Sequence, residues 1–167
     1  IRQAENSKDN MTRVGVISDT HLAKGQTKIP DAVIKALRGV DMIFHAGDIT
    51  DMDVIRRLEK IAPVHAVCGN MDAPGVRESL PEKKIITVEG HKIGLIHGFG
   101  PPFNLMKRIG AEFADKVDAI VFGHSHIATN EVHNGILFFN PGSPTDRIFA
   151  REKTLGIMTV NSKIKGE

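Results

Sequence analysis

The sequence predicts an α/β fold of mixed sheets with helices outside, and three observations carry that reading. Short apolar runs rich in β-branched residues recur along the chain, as buried strands do. In the first half they alternate with helical patterns, and in the second half they follow one another almost directly. Residues 14–17 form the first strand, which ends at Asp19. Pro30 opens a helical pattern with Val33, Ile34 and Leu37 on one face. Residues 42–46 are the second strand and end at Gly47-Asp48. Thr50-x-x-Asp53 resembles a capping box, with Asp where Glu is usual. It leads a helix whose Val54, Ile55, Leu58 and Ile61 share a face, and Pro63 closes it. Residues 64–67 are a third strand before Gly69-Asn70, and residues 71–82 read as a loop. Residues 83–88 and 92–96 flank Glu89-Gly90-His91 as a hairpin. Leu105, Met106, Ile109 and Phe113 give a helix, and residues 119–122 give another strand. Residues 131–133 and 136–139 flank Asn134-Gly135, the strongest short hairpin signal. Residues 155–160 read as the last strand.

Bulk properties narrow the class. A chain of 167 residues suits one domain and can bury a core without staples. Residues 11–167 are read as that domain. Residues 1–10 are polar and patternless, so they read as a disordered arm or tag remnant, with Met11 as a natural start. The single cysteine, Cys68, cannot form an internal disulfide, which fits a reducing, cytoplasmic setting. No apolar run approaches the roughly 20 residues of a membrane helix, so no membrane partner is expected. A formal charge of +2, with no block of like charges, disfavours nucleic acid as a partner. Trp and Tyr are absent, which leaves only Phe for stacking on single strands.

The chemistry gathers where strands end. Asp19-Thr20-His21, Gly47-Asp48, Gly69-Asn70, His97-Gly98 and Gly123-His124-Ser125-His126 each place a ligand-type side chain directly after an apolar run. Ligands at the carboxyl ends of neighbouring strands converge on one sheet edge. Glycines beside them let the backbone turn sharply and leave room for a ligand. Imidazole, carboxylate and one amide oxygen, without sulfur, suit Mn, Fe or Zn. Seven ligands exceed one ordinary ion and suit two ions sharing a carboxylate, an arrangement that clamps a phosphoryl displacement.

In this order, D-x-H, G-D, G-N, H-G and G-H-x-H resemble the calcineurin-like metallophosphoesterases. The short length and the Asn140-Pro141-Gly142-Ser143 stretch are similar to the small YfcE-type phosphodiesterase branch. The resemblance implies a four-layer α-β-β-α sandwich with an open active face. It implies one metal on Asp19, His21 and His126, a second on Asn70, His97 and His124, and Asp48 bridging. The ions would be Mn²⁺, with Ni²⁺, Fe²⁺ or Zn²⁺ as alternatives, and a hydroxide between them would attack phosphorus. Asp48, Asn70 and His124 are thereby the candidate catalytic residues. The implied substrate is a small phosphodiester or nucleotide-like ester. Homo-oligomerisation is compatible with the sequence.

Two positions depart from the family pattern. Many members carry His after G-N as a proton donor to the leaving group, whereas this chain has Met71, with Asp72 beside it. Loss of a general acid costs on the order of 10²–10⁴ in rate, so good leaving groups such as aryl or nucleotide-like esters are expected. Phe99 stands where relatives carry a further His, and it is expected to wall the substrate pocket. Arg147, Asn140 and Ser143 are further candidates for substrate contact, beside plainer readings as a surface ion pair and turn residues. Singly, each His or Asp at a strand end has an ordinary structural reading. His45, close to Asp48, is a candidate for orienting it rather than a ligand. Cys68 reads as a small buried residue.

Three rival functions compete with this reading. A non-catalytic interaction scaffold is the alternative, because the retromer subunit resembles this superfamily in fold with a degraded metal site. All seven expected ligands are retained here, which argues for an enzyme. A metallo-β-lactamase fold would need H-x-H-x-D-H, which is absent. Within the enzyme class, phosphomonoesters, cyclic nucleotides and dinucleoside polyphosphates are competing substrates.

Overall fold

A computed structural model describes residues 11–22, 28–113, 116–146, 148, 150 and 152–167. Ten strands and four helices are found among them. They are β1 (Thr12–Ile17), α1 (Asp31–Ala36), β2 (Met42–His45), α2 (Met52–Leu58), β3 (Val64–Ala66), α3 (Pro74–Ser79) and β4 (Lys83–Val88). There follow β5 (His91–Ile96), α4 (Leu105–Ala111), β6 (Ala119–Val121), β7 (Thr129–His133), β8 (Ile136–Asn140), β9 (Gly156–Val160) and β10 (Ile164–Gly166).

The strands form two five-stranded mixed sheets, ordered β10-β9-β1-β2-β3 and β4-β5-β6-β8-β7. Val14, Val16 and Phe44 of the first sheet meet Ile93, Leu95, Val121 and Phe139 of the second in a core between the sheets. The outer face of the first sheet is covered by α1 and α2, through Val33, Val54, Ile55 and Leu58. The outer face of the second is covered by α4, through Leu105 and Ile109. This is the four-layer α/β sandwich that the resemblance implied. Each buried aliphatic side chain stabilises the fold by about 1.5–3 kcal/mol, so two-sided burial is what makes these strands read as unbroken apolar runs.

Register positions the site. Ile17 pairs with His45 and His45 with Ala66, so the parallel strands β1, β2 and β3 end level with one another. In the second sheet Leu95 pairs with Val121 and Val121 with Phe139, which levels β5, β6 and β8. The loops leaving these carboxyl ends therefore meet at one edge.

Three local expectations are corrected. The stretch read as a loop contains α3, whose one buried residue, Val76, leaves no apolar periodicity to see. A tenth strand, β10, follows β9 and pairs with it antiparallel. The cap of α2 is Asp51, whose side chain accepts from Asp53 N–H, whereas Thr50 adopts a positive φ of 73°. Residues 1–10 lie outside the described residues. No helix among the described residues is long and apolar enough to cross a membrane.

Candidate metal centre

All seven motif residues come together at the shared sheet edge. Asp19 and His21 follow β1, Asp48 follows β2 and Asn70 follows β3. His97 follows β5, and His124 and His126 follow β6. Donor atoms of Asp19, His21 and His126 lie within 4.8 Å of one another, as do those of Asp19, Asp48 and His97. Asp48 Oδ2 sits between two imidazoles, 3.4 Å from His21 Nε2 and 3.3 Å from His97 Nε2. Asn70 Oδ1 lies 3.1 Å from His97 Nε2 and 3.0 Å from His124 Nδ1. His21 Nε2 and His126 Nε2 face each other at 3.3 Å.

The outer ring nitrogens explain which lone pairs point inward. His97 Nδ1 donates to the Ala46 carbonyl at 2.7 Å, and His124 Nε2 donates to the Gly100 carbonyl at 2.7 Å. His126 Nδ1 donates to Asp146 Oδ2. With those nitrogens holding the protons, the tautomers that follow turn His97 Nε2, His124 Nδ1 and His126 Nε2 inward as acceptors. While the imidazoles are neutral, acceptors therefore converge on acceptors.

The clearest sign of that mismatch is Asp19 Oδ1. It is 3.1 Å from His126 Nε2, 3.7 Å from His21 Nε2 and 3.9 Å from His97 Nε2. Yet, among the described residues, it is the one buried side-chain polar atom with no hydrogen bond. A fully buried acceptor without a donor is costly, and a cation cures it. The residues present thus fit divalent metal.

The electrostatics agree. Burial would raise the Asp19 carboxyl, but His126, His21 and His97 more than offset it and hold it below the usual carboxylate range. Burial likewise opposes ionisation of Asp48, which His97 and the Met71 N–H nevertheless bring down. Burial disfavours a charged His97, but Asp48 and Asp19 raise it. His126 is raised to about 9, chiefly by its contact with Asp19. Without metal, the carboxylates recruit protons onto the imidazoles. Metal binding displaces such protons.

Local backbone shape makes the convergence possible. Asp19, His21, Asp48, His124 and His126 all have positive φ, between 34° and 70°. Such non-glycine conformations cost about 1–3 kcal/mol each and cluster at functional sites. The motif glycines serve a second purpose, close approach across the site. A Cβ on Gly69 would lie 2.2 Å from Asp48 Oδ1, and one on Gly123 would lie 2.6 Å from Asp19 Oδ2.

Several supporting residues escaped sequence reasoning or received another role. Asp72 Oδ1 accepts from Ile49 N–H at 2.6 Å and Thr50 N–H at 2.7 Å, while Oδ2 accepts from Gly69 N–H at 2.7 Å. It ties the Asp48 loop to the Asn70 loop. Asp146, which orients His126, carried no sequence signal beyond its place after the Asn140-Pro141-Gly142-Ser143 stretch. Asn140 and Ser143, the candidates for substrate contact, make hydrogen bonds that support the site loops. Asn140 is buried and donates to the Gly123 carbonyl and Ser125 Oγ, and Ser143 Oγ donates to the Asp19 carbonyl. Arg147 lies outside the described residues.

His45 is fully buried, with Nδ1 accepting from Gly47 N–H and Nε2 against Thr20 Oγ1. Burial pushes its pKa down to about 3, so it stays neutral. Cys68 is buried, and burial raises its thiol. Met71 is 64 % exposed and offers the site only its backbone N–H, to Asp48 Oδ1 at 2.8 Å.

A cavity of about 410 Å³ adjoins the centre, with Asn70 and His97 at one end and Phe99, Arg77 and Lys83 among its walls. A larger one, about 650 Å³, lies between α4 and the β7–β8 hairpin and includes only Ser125 of the motif segments.

Residues 12–163 match the calcineurin-like phosphoesterase superfamily domain, and the chain belongs to that superfamily, a class of metal-dependent phosphoesterases. A probable metallophosphoesterase of Methanothermobacter thermautotrophicus is 38% identical over 135 residues, 79% of this chain and 77% of that one. Vacuolar protein sorting 29 of Cryptosporidium parvum superposes with a TM-score of 0.76 at 20% identity, covering 94% of this chain and 96% of that one. A structure described as a novel archaeal phosphodiesterase superposes with a TM-score of 0.68 at 19% identity, covering 93% of this chain and 99% of that one.

Proposed function

We propose that this chain is a dinuclear metal-dependent phosphodiesterase. The observation that carries the reading is Asp48 Oδ2, flanked by His21 Nε2 at 3.4 Å and His97 Nε2 at 3.3 Å, the position of a carboxylate shared between two ions. Asp19, His21 and His126 would hold one ion, Asn70, His97 and His124 the other, and Asp48 both. The resemblance favours Mn²⁺, and the donor set itself also admits Ni²⁺, Fe²⁺ or Zn²⁺. Bound there, the pair would neutralise phosphate charge and lower the pKa of a water.

The chain's own residues do the rest. The Ala46 and Gly100 carbonyls and Asp146 keep the outer imidazole protons away from the centre. The Met71 N–H occupies Asp48 Oδ1 and leaves Oδ2 facing inward. Phe99, 45 % exposed, gives the adjoining cavity an apolar wall for an ester group. A diester is preferred by the resemblance to the small branch.

The test is hydrolysis of bis-p-nitrophenyl phosphate and p-nitrophenyl phosphate by protein stripped of metal and reloaded with Mn²⁺, Ni²⁺, Zn²⁺ or Mg²⁺, with Asp48→Ala alongside. Metal-restored diester cleavage, lost in the variant, is expected. Bound metal with no turnover would instead favour the alternative, a metal-binding interaction scaffold. That alternative draws on the fold likeness to vacuolar protein sorting 29 and on the exposed Phe103 and Ile127.

A further inference from the structure

The site has no proton donor at the position after Asn70, so charge on a departing oxygen must be met otherwise. Among the described residues lining the 410 Å³ cavity, the cationic side chains are Arg77 and Lys83. Lys83 Nζ is already matched to Glu112 Oε2 at 2.5 Å. Arg77, on α3, has a different attachment: its Nη2 donates to the backbone carbonyl of Asn70 at 2.7 Å. That single bond docks the guanidinium onto a motif residue. A guanidinium has five N–H donors in a rigid fork, and the fork matches phosphate oxygens. Arg77 and Asn70 line the same cavity, together with the carboxylates Glu82 and Glu112, so a phosphate extending from the centre into that cavity would enter the space Arg77 borders.

We propose that Arg77 is the phosphate-anchoring residue of this site, binding oxygens of the substrate phosphate and the oxygen that departs. The proposal rests on the phosphoesterase reading. In the step it assists, an oxygen from water forms a new P–O bond, the P–O bond to the leaving group breaks, and its electron pair passes to the leaving oxygen. A guanidinium donates hydrogen bonds rather than a proton. It stabilises the charge, and the proton that neutralises the alcohol comes from water. The dependence on leaving-group pKa therefore persists in the native protein and steepens without Arg77.

The test begins with Mn²⁺-loaded protein and inorganic phosphate in a calorimeter, comparing native protein with Arg77→Ala, Arg77→Lys and Lys60→Ala. Lys60→Ala removes an equal charge from an exposed position outside the cavity. Metal content is measured on each, and aryl phosphodiesters of graded leaving-group pKa are then compared. Arg77→Ala is expected to weaken phosphate binding about 10–100-fold, the value of a charge-assisted hydrogen bond. Its Mn²⁺ content should be unchanged, and its rates should fall most for the poorest leaving groups. Arg77→Lys should recover part of the binding, added guanidinium ion should rescue Arg77→Ala in part, and Lys60→Ala should bind phosphate as the native protein does. Native-like phosphate affinity in Arg77→Ala overturns the proposal, as does absence of phosphate binding by the native protein. Loss of Mn²⁺ from Arg77→Ala also overturns it, because Arg77 would then only support Asn70. If phosphate binds through Arg77 and no ester is cleaved, the anchoring role stands and the phosphodiesterase reading falls.

Discussion

Asp72 holds no place among the metal-ligand motifs, yet three backbone N–H groups from two loops depend on its carboxylate. Each buried donor left without a partner costs about 1–3 kcal/mol. Asp72→Ala should therefore destabilise the protein by several kcal/mol and loosen Asp48 and Asn70 together, lowering metal affinity as well as the melting temperature. Asp72→Asn keeps one acceptor oxygen but points an amide at the Gly69 N–H or the Ile49–Thr50 pair, so it should fall between the two. Thermal melts and metal titrations of the three proteins check the order. Such a role was invisible in the sequence, because it depends on partners 23, 22 and 3 residues away that only the folded loops bring together. The same holds for Asp146 and His126, 20 residues apart. His45 makes a pH prediction with a definite sign. Its folded pKa is about 3 and its unfolded value about 6.5. Between those values the unfolded chain binds a proton that the folded chain refuses, so stability is present above pH 6.5 and lost as the pH falls. His45→Gln removes that titration. From pH 6.5 to 5 the native protein, free of metal, should lose on the order of 2 kcal/mol more than the variant. Denaturant midpoints for both at the two pH values measure the difference, and equal losses would refute the assignment.

At the scale of elements, the site is built by strand ends whose loops touch through glycine. Gly69→Ala drives a Cβ to 2.2 Å from Asp48 Oδ1 and 2.4 Å from the Asp48 backbone nitrogen. Backbone cannot swing aside as a flexible side chain can, so Asp48 must move. This variant should fold and bind metal at least tenfold more weakly, as a 1.4 kcal/mol loss implies. Calorimetric metal titration decides it, and unchanged affinity would mean that the loop yields without displacing Asp48. A milder case is the α2 cap: Asp51→Ala should cost about 1 kcal/mol by denaturant melt, with the site untouched. The elements also show what a sequence can and cannot reveal. The strands flanking the site were legible because they are buried on both faces, and their ends were legible because polar ligands interrupt the apolar runs. By contrast, α3 buries only Val76, and β10 has no fully buried residue, so neither leaves a pattern. The cap on α2 was misplaced by one residue because Thr50 takes a left-handed turn that no propensity announces.

Across the whole molecule, the candidate ligands divide between the two sheets. Asp19, His21, Asp48 and Asn70 leave strands of the first, while His97, His124 and His126 leave strands of the second. The sheets also meet through the apolar core and through hydrogen bonds such as Asn130 Nδ2 to the Gly166 carbonyl at 2.7 Å. Ions shared between these ligand sets would pin the two sheets at one edge, and the pin would exist only in the folded chain, since the unfolded chain scatters the ligands. Ligand binding to the folded state alone stabilises by about 2.7 kcal/mol at a hundredfold excess over Kd. For a chain of this size, each kcal/mol raises Tm by roughly 2–4 °C. Loading stripped protein with Mn²⁺ at that excess should therefore raise Tm by roughly 5–10 °C, and chelation should reverse it. Asp48→Ala removes the carboxylate that both ions would share, so most of that increment should vanish when each protein is compared with its own metal-free Tm. Differential scanning calorimetry with and without Mn²⁺ measures both quantities. An equal increment in Asp48→Ala would mean that the ions bind without the shared carboxylate, and the two-ion arrangement would have to be abandoned for separate sites.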